Sequence, residues 1–312
     1  MQNKGNKVNI YINDIPQYKN FTKIELVDKG WSSDIKYYIE TMQGERLLLR
    51  VSSINQYDKK KAEYNTISTI VKQGIPMSEP IDFGTCDNGA SVYMLLTWID
   101  GNDAEEVLPT LSCKEQYLLG IKAGHILKSI HSIPALSTQE EWETLYNRKI
   151  DRNIERYIRC DLKINGAEKM ISYIEQNRYL LKNRPQSIHH GDYHVGNMIV
   201  SDSGNLSIID FNRFDYGDPW QEFNRIVWCA DCSKHFATGR VNGYFNGKPP
   251  VEFWELLALY ISSNTLGSIP WAIPFGQVEI DTMTMQASQI LEYYDDMKSV
   301  VPKWYIEIMN SL

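Results

Sequence analysis

The sequence predicts an α/β (α+β) protein in two parts: a small five-stranded antiparallel sheet domain over residues 1–98 and a mainly helical domain over residues 99–312. Three observations carry that expectation. Strand-like runs crowd the first hundred residues, helical periodicity dominates the remaining two thirds of the chain, and 312 residues is more than one small core organises at ~100–200 residues per domain.

The runs at 24–27 (IELV), 35–40 (IKYYIE) and 46–51 (RLLLRV) predict three strands, with the turn at Gly44 joining the last two as a hairpin. From Tyr57 to Gln73, Ala62, Ile67, Ile70 and Val71 recur at helical spacing, and Gly74 with Pro76 supplies a stop. Strands at 80–84 and 91–97, separated by a CDNG turn, complete the sheet by about Trp98. Ser112 and Glu115 then form a capping box, opening a helix to His131. Helices continue to the end, interrupted by apolar runs at 198–200 and 206–210 around an SDSGN turn, which predict a buried hairpin.

Composition narrows the function. Hydrophobic residues make up 43% and charged residues 23%, an ordinary globular balance, and no run reaches the ~18 apolar residues of a membrane span. The opening MQNKGNKVNIYINDIP lacks the continuous apolar stretch of a signal peptide, and five scattered cysteines do not suggest a disulfide framework. A cytoplasmic protein with reduced thiols and no membrane partner is expected. The lone CxxC at Cys229 and Cys232 falls in a helical context and has no second pair to complete a zinc site. A net charge of −7 argues against nucleic acid as a partner. Residues 213–312 contribute 12 acids and 7 bases, a net of −5, so the acid excess sits in the last third.

The chemistry concentrates in HHGDYHVGN. Three of the six histidines, His189, His190 and His194, lie within six positions, but their order is not that of a metallohydrolase cluster. His190, Asp192 and Asn197 instead reproduce the H-x-D-x-x-x-x-N spacing of a kinase catalytic loop, and Ile209-Asp210-Phe211 follows after the short hairpin where a kinase has DFG. Phosphoryl transfer needs these groups: Asp192 to accept or orient the proton of the attacking hydroxyl, and Asn197 and Asp210 as oxygen ligands for Mg2+. In GDPWQ, Asp218, Pro219 and Gln221 form a complete helix start, so a structural cap explains them. His190 is expected to fix the loop by hydrogen bonding, and the Lys59-Lys60-Lys61 run to be a solvated helix face.

HGDYHVGN followed by IIDFNRFDYGDP resembles the aminoglycoside phosphotransferase family, small-molecule kinases with a bilobal protein-kinase-like fold, over about residues 24–300. The resemblance implies ATP or GTP as donor, Mg2+, a loop over the nucleotide phosphates at residues 29–34 where Ser32 and Ser33 supply hydroxyls, and a purine met near Thr97 to Ile99 beside Met94 and Leu96. Where the family usually presents a lysine on the third strand this chain has Arg50, whose guanidinium keeps the charge and grips phosphate bidentately. Glu63, the only glutamate on the following helix, is its expected partner. The expected acceptor is a hydroxyl of a small molecule, first an aminoglycoside-type cation, with antibiotic resistance as the outcome. The acid excess and the aromatics Tyr244, Trp254, Trp271, Phe275, Tyr293 and Tyr294 suit such a cation. The alternatives are a metabolic kinase for choline, a sugar or an amino alcohol, a macrolide kinase, or a nucleotide-binding module without catalysis.

Overall fold

The structure, a computed structural model, describes residues 11–28 and 33–306. It divides into two units, one running to Gly101 and taking in Ser207–Ile209, the other formed by Asn102–Leu206 and the chain from Asp210 onward.

In the first unit β1 (Phe21–Leu26), β2 (Ile35–Thr41) and β3 (Arg46–Ser53) lead into α1 (Tyr57–Ile70), followed by β4 (Pro80–Cys86) and β5 (Ser91–Thr97). The five strands form one antiparallel sheet in the order β1-β2-β3-β5-β4. β1 begins three residues before the expected run. Period-two alternation gives the sheet two different faces. Leu47, Leu49 and Val51 of β3 join Ile39, Tyr93, Leu95 and Ile15 in an apolar core, while Arg50 and Ser52 lie on the opposite face. α1 ends in a 3-10 turn at Val71–Gln73 and stops at Gly74, whose φ of 70° is the left-handed geometry that favours glycine. Ala62, which the spacing assigns to the apolar stripe of this helix, is not buried, and Lys60 is buried in its place.

The second unit opens with β6 (Asn102–Asp103) and α2 (Ala104–Val107), then α3 (Cys113–Ile130), α4 (Trp142–Arg159) and α5 (Ala167–Asn177). Ser112 and Glu115 cap α3 reciprocally, as the sequence predicts. β7 (Ser187–His189), β8 (Met198–Val200) and β10 (Asp215–Gly217) are short strands among the helices, and β9 (Leu206–Ile208) runs into the Ser207–Ile209 stretch that belongs to the first unit. β7 pairs antiparallel with β10, β6 with β8, and the SDSGN turn closes through Ser201 N–H on the Asn205 carbonyl at 2.9 Å. The chain continues through α6 (Ile226–Cys232), α7 (Lys234–Phe245), α8 (Val251–Ala272) and α9 (Gln277–Tyr293).

α3 and α7 touch backbone to backbone. A Cβ at Gly120 would stand 2.2 Å from the Phe236 carbonyl oxygen and one at Gly124 2.2 Å from that of Arg240, so the GxxxG spacing on each helix permits this approach. The pair brings His131, at the end of α3, beside Tyr244 of α7. α8 is buried along most of its length, yet among the described residues no helix is long and apolar enough to cross a membrane. Tyr244, Trp254, Tyr293 and Tyr294 are core residues rather than exposed binding faces; of the six aromatics expected to suit a cation only Trp271 and Phe275 are exposed, stacked on each other at 4.6 Å.

A candidate phosphoryl-transfer site

The loop His190–Asn197 leaves β7 and returns through a 3-10 turn into β8. Its first bend needs Gly191: φ is 85°, and a Cβ there would lie 1.8 Å from the Arg213 carbonyl oxygen. Behind the bend sits Glu222, 3% exposed, on a 3-10 turn (Gln221–Arg225) after β10. Its carboxylate accepts the backbone N–H groups of His190 (3.0 Å) and Gly191 (2.6 Å) and bonds His131 Nε2 at 2.8 Å, while His131 Nδ1 meets the Tyr244 hydroxyl at 3.0 Å. Burial pushes the Glu222 carboxyl up, but the His131 bond and the surrounding histidines outweigh it and hold the group down at about 2. Neither Glu222 nor His131 stands out in the sequence, because nothing local marks a carboxylate whose partners lie 31 and 91 residues away.

His190 holds the loop from inside. It is fully buried, its Nδ1 accepts the Asp192 N–H at 3.2 Å, and its ring packs on Phe211 with centroids 4.4 Å apart. Asn197 donates from Nδ2 to the Asp192 carbonyl at 2.9 Å, which leaves Oδ1 as the atom suited to a metal. Asp210 follows β9 with φ 67°, a conformation uncommon for a residue with a side chain and concentrated at functional sites.

The Asp192 carboxylate is ringed by basic side chains. His194 Nε2 and Arg213 Nη1 each lie 3.6 Å from it, and Arg225 Nε lies 3.4 Å away. Burial opposes its ionisation, but His194, Arg225 and Arg213 prevail and hold the carboxyl well below the usual range. Such a group stays ionised and is a weak base, better suited to orienting a hydroxyl than to removing its proton early.

Asp218 makes the expected cap and more. Its Oδ1 accepts the Trp220 N–H at 3.0 Å at the start of the turn that leads into Gln221–Arg225. It is also fully buried and accepts Arg184 Nε (2.6 Å) and Nη2 (2.9 Å) and the Tyr260 hydroxyl (2.6 Å). A carboxylate out of water needs charge-assisted partners, and Arg184 supplies them beyond the cap. Cys229 is buried and Cys232 partly so; both are free, and burial pushes both thiols up.

In the first unit Arg50 donates from Nη1 to Glu63 Oε1 at 2.6 Å and from Nε and Nη2 to Asp34 Oδ2 at 2.9 and 2.5 Å. Lys60 Nζ bridges the same carboxylates, 2.7 Å from Asp34 and 3.2 Å from Glu63, and Ser52 Oγ donates to Asp34 at 2.7 Å. Two cations and two anions thus close a buried square. Burial works against the Asp34 charge, but Arg50 and Lys60 overcome it and set its carboxyl at about 2. Lys60 is therefore not part of a solvated face: only 6% of it is exposed, because its ammonium completes this square. Ser33 is exposed just before β2, and Ser32 lies outside the described residues. Thr97 ends β5 with its hydroxyl accepting the Glu79 N–H at 2.8 Å, and Ile99 is half-buried just beyond. Met94 and Leu96 are buried within β5.

No group of three His, Cys, Asp or Glu side chains able to hold a metal occurs among the described residues. One carboxylate and one amide oxygen do not form such a group, and they suit a hard cation that keeps waters and substrate oxygens in its shell.

An aspartate on a loop anchored by a buried carboxylate, an asparagine five residues on, and an aspartate after the next two strands have the spacing of a phosphotransferase-type loop. The chain belongs to the phosphotransferase enzyme family (APH), whose model matches residues 23–254. Among solved structures it is similar to a choline/ethanolamine kinase family protein from Mesorhizobium loti (15% identity, 92% of this chain and 95% of that one, TM-score 0.66). It is similar also to a GDP complex of aminoglycoside 2'-phosphotransferase-IIIa (13% identity, 89% and 94% covered, TM-score 0.65). A third is the amicoumacin kinase hAmiN in complex with AMP-PNP, Ca2+ and Ami (13% identity, 89% and 90% covered, TM-score 0.63). These likenesses establish the protein-kinase-like fold. A comparison with curated proteins finds no match.

Proposed function

We propose that the protein transfers the γ-phosphoryl group of ATP or GTP to a hydroxyl of a small molecule. The observation that carries this reading is Asp192, kept ionised by His194, Arg213 and Arg225 on a loop fixed by Glu222. In it Asp192 orients the attacking hydroxyl and takes its proton late, when bond formation to phosphorus has made that proton acidic. Asn197 Oδ1 and the Asp210 carboxylate would hold Mg2+, whose chemistry there is to neutralise charge on the transferring phosphoryl.

Arg50 holds the nucleotide phosphates in this reading, with Glu63 orienting its guanidinium and the hydroxyls of Ser32 and Ser33 contributing hydrogen bonds. Backbone groups near Thr97 and Ile99 meet the purine. The cytoplasm suits the five free thiols. An aminoglycoside-type acceptor, and with it antibiotic resistance, is supported by the aminoglycoside phosphotransferases among the solved neighbours. Arg213 and Arg225 around Asp192 favour another acceptor chemistry.

Asp192→Asn is expected to lower kcat by at least about 100-fold while nucleotide affinity, measured by calorimetry, changes less than about twofold. Asp210→Ala should instead abolish the dependence of nucleotide binding on Mg2+. Turnover near the wild-type rate in Asp192→Asn would refute the assignment.

A further inference from the structure

Beside Asp192 the helical unit contains a cavity of about 90 Å³. Gly191 and Arg225 form the side nearest the catalytic loop, α4 contributes Lys149, α8 contributes Asn264, and Gln221 and Asn224 come from the turn after β10. Its walls are almost wholly polar, and their charges are unequally matched. The two carboxylates that reach the cavity are engaged: Glu222 by His131 and two backbone N–H groups, Asp215 by His189 Nδ1 at 3.0 Å. The cations are not matched in the same way. Lys149 makes no ion pair among the described residues; its ammonium rests 5.2 Å from the centre of the Tyr146 ring. Arg225 faces Asp192 at 3.4 Å, and that carboxylate is shared with His194 and Arg213. Asn224, only 9% exposed, carries an Oδ1 with no hydrogen-bond partner, a group whose desolvation is offset only when a donor arrives.

We propose that this cavity receives an acidic group of the phosphoryl acceptor, so that the acceptor is a hydroxylated carboxylate and not a polycationic amino sugar. The inference rests on the phosphotransferase reading and adds to it the acceptor's charge. Lys149 and Arg225 would take the carboxylate by charge-assisted hydrogen bonds, with the Asn224 side chain in the same wall. The cavity is far below the several hundred Å³ of a drug-sized pocket, which suits a carboxylate and the carbons bearing it. A polycation would meet Lys149 and Arg225 together in the cavity wall, and like charges repel more strongly in a partly desolvated site than in water. Burial pushes the Lys149 ammonium down, the Asp215 carboxylate opposes this in part, and Arg152 and Arg225 add to the lowering, so an incoming carboxylate would relieve the remaining cost.

The test is a nucleotide-consumption assay on the full chain with Mg2+ and ATP or GTP, offering three acceptors on one scaffold, glucose, glucuronate and glucosamine, and kanamycin as a polycation. We expect kcat/KM for glucuronate to exceed that for glucose by about tenfold and that for glucosamine by more. Lys149→Met should bring the acid-to-neutral ratio close to one, and Lys149→Arg should restore it. A preference for glucosamine or kanamycin over glucuronate, or an acid preference unchanged in Lys149→Met, overturns the acidic-acceptor inference and leaves the phosphotransferase reading intact. Absence of turnover with all four acceptors and both nucleotides overturns the phosphotransferase reading itself, and the inference with it.

Discussion

In the strand-rich unit Arg50, Lys60, Asp34 and Glu63 neutralise one another side chain to side chain, whereas in the helical unit Glu222 is held by two backbone N–H groups and His131. Both arrangements bury charge, but they do different work. A carboxylate bonded to backbone fixes φ and ψ of the loop it binds, so Glu222 determines where Asp192 sits. A square of side chains fixes no backbone, and its members can exchange partners at small cost because each cation already sees two anions. The first arrangement suits a group that must stay in place, the second a group that can give up a carboxylate to an incoming anion.

The contrast between the two arrangements is tested most severely at Glu222. Glu222→Ala leaves a buried histidine and two N–H groups without their acceptor, and should cost about 3–5 kcal/mol in urea unfolding at pH 7. The folded carboxyl titrates near 2 against an ordinary 4.5, so the stabilisation is complete above about pH 4.5 and is lost as pH falls toward 2. Wild type and variant should therefore converge in stability over that window; a constant gap would show that the carboxylate's charge is irrelevant.

Glu63→Gln should cost less, about 1–3 kcal/mol, because Asp34 still faces both cations. Adding Lys60→Met restores charge balance around Arg50, so the double variant should be more stable than the sum of the single effects predicts, and additive losses would argue against a coupled square. The smallest effect is expected one residue away. Lys59 is exposed where Lys60 is buried, and Lys59→Gln should change stability by no more than about 0.5 kcal/mol in the same measurement.

Local pattern made much of this legible. Strand alternation marked the sheet, Ser112 and Glu115 marked α3, and HGDYHVGN with IIDF marked the loop, since periodicity, capping and motif spacing all act over a few residues. The pairing of Arg50 with Glu63 was also within reach, because a strand followed by a helix offers few carboxylates to a buried guanidinium. The sequence by itself thus determined the order of elements, the candidate loop and the family. Only the tertiary structure decided that Lys60 is interior while Lys59 is not, that Asp218 answers Arg184 as well as capping the turn after it, and that four of the six C-terminal aromatics are core. It also assembled Glu222, His131, Lys149 and Asn224 around one loop from segments far apart in the chain. The physical reason is that burial and charge pairing depend on distances across the fold, which no local spacing encodes.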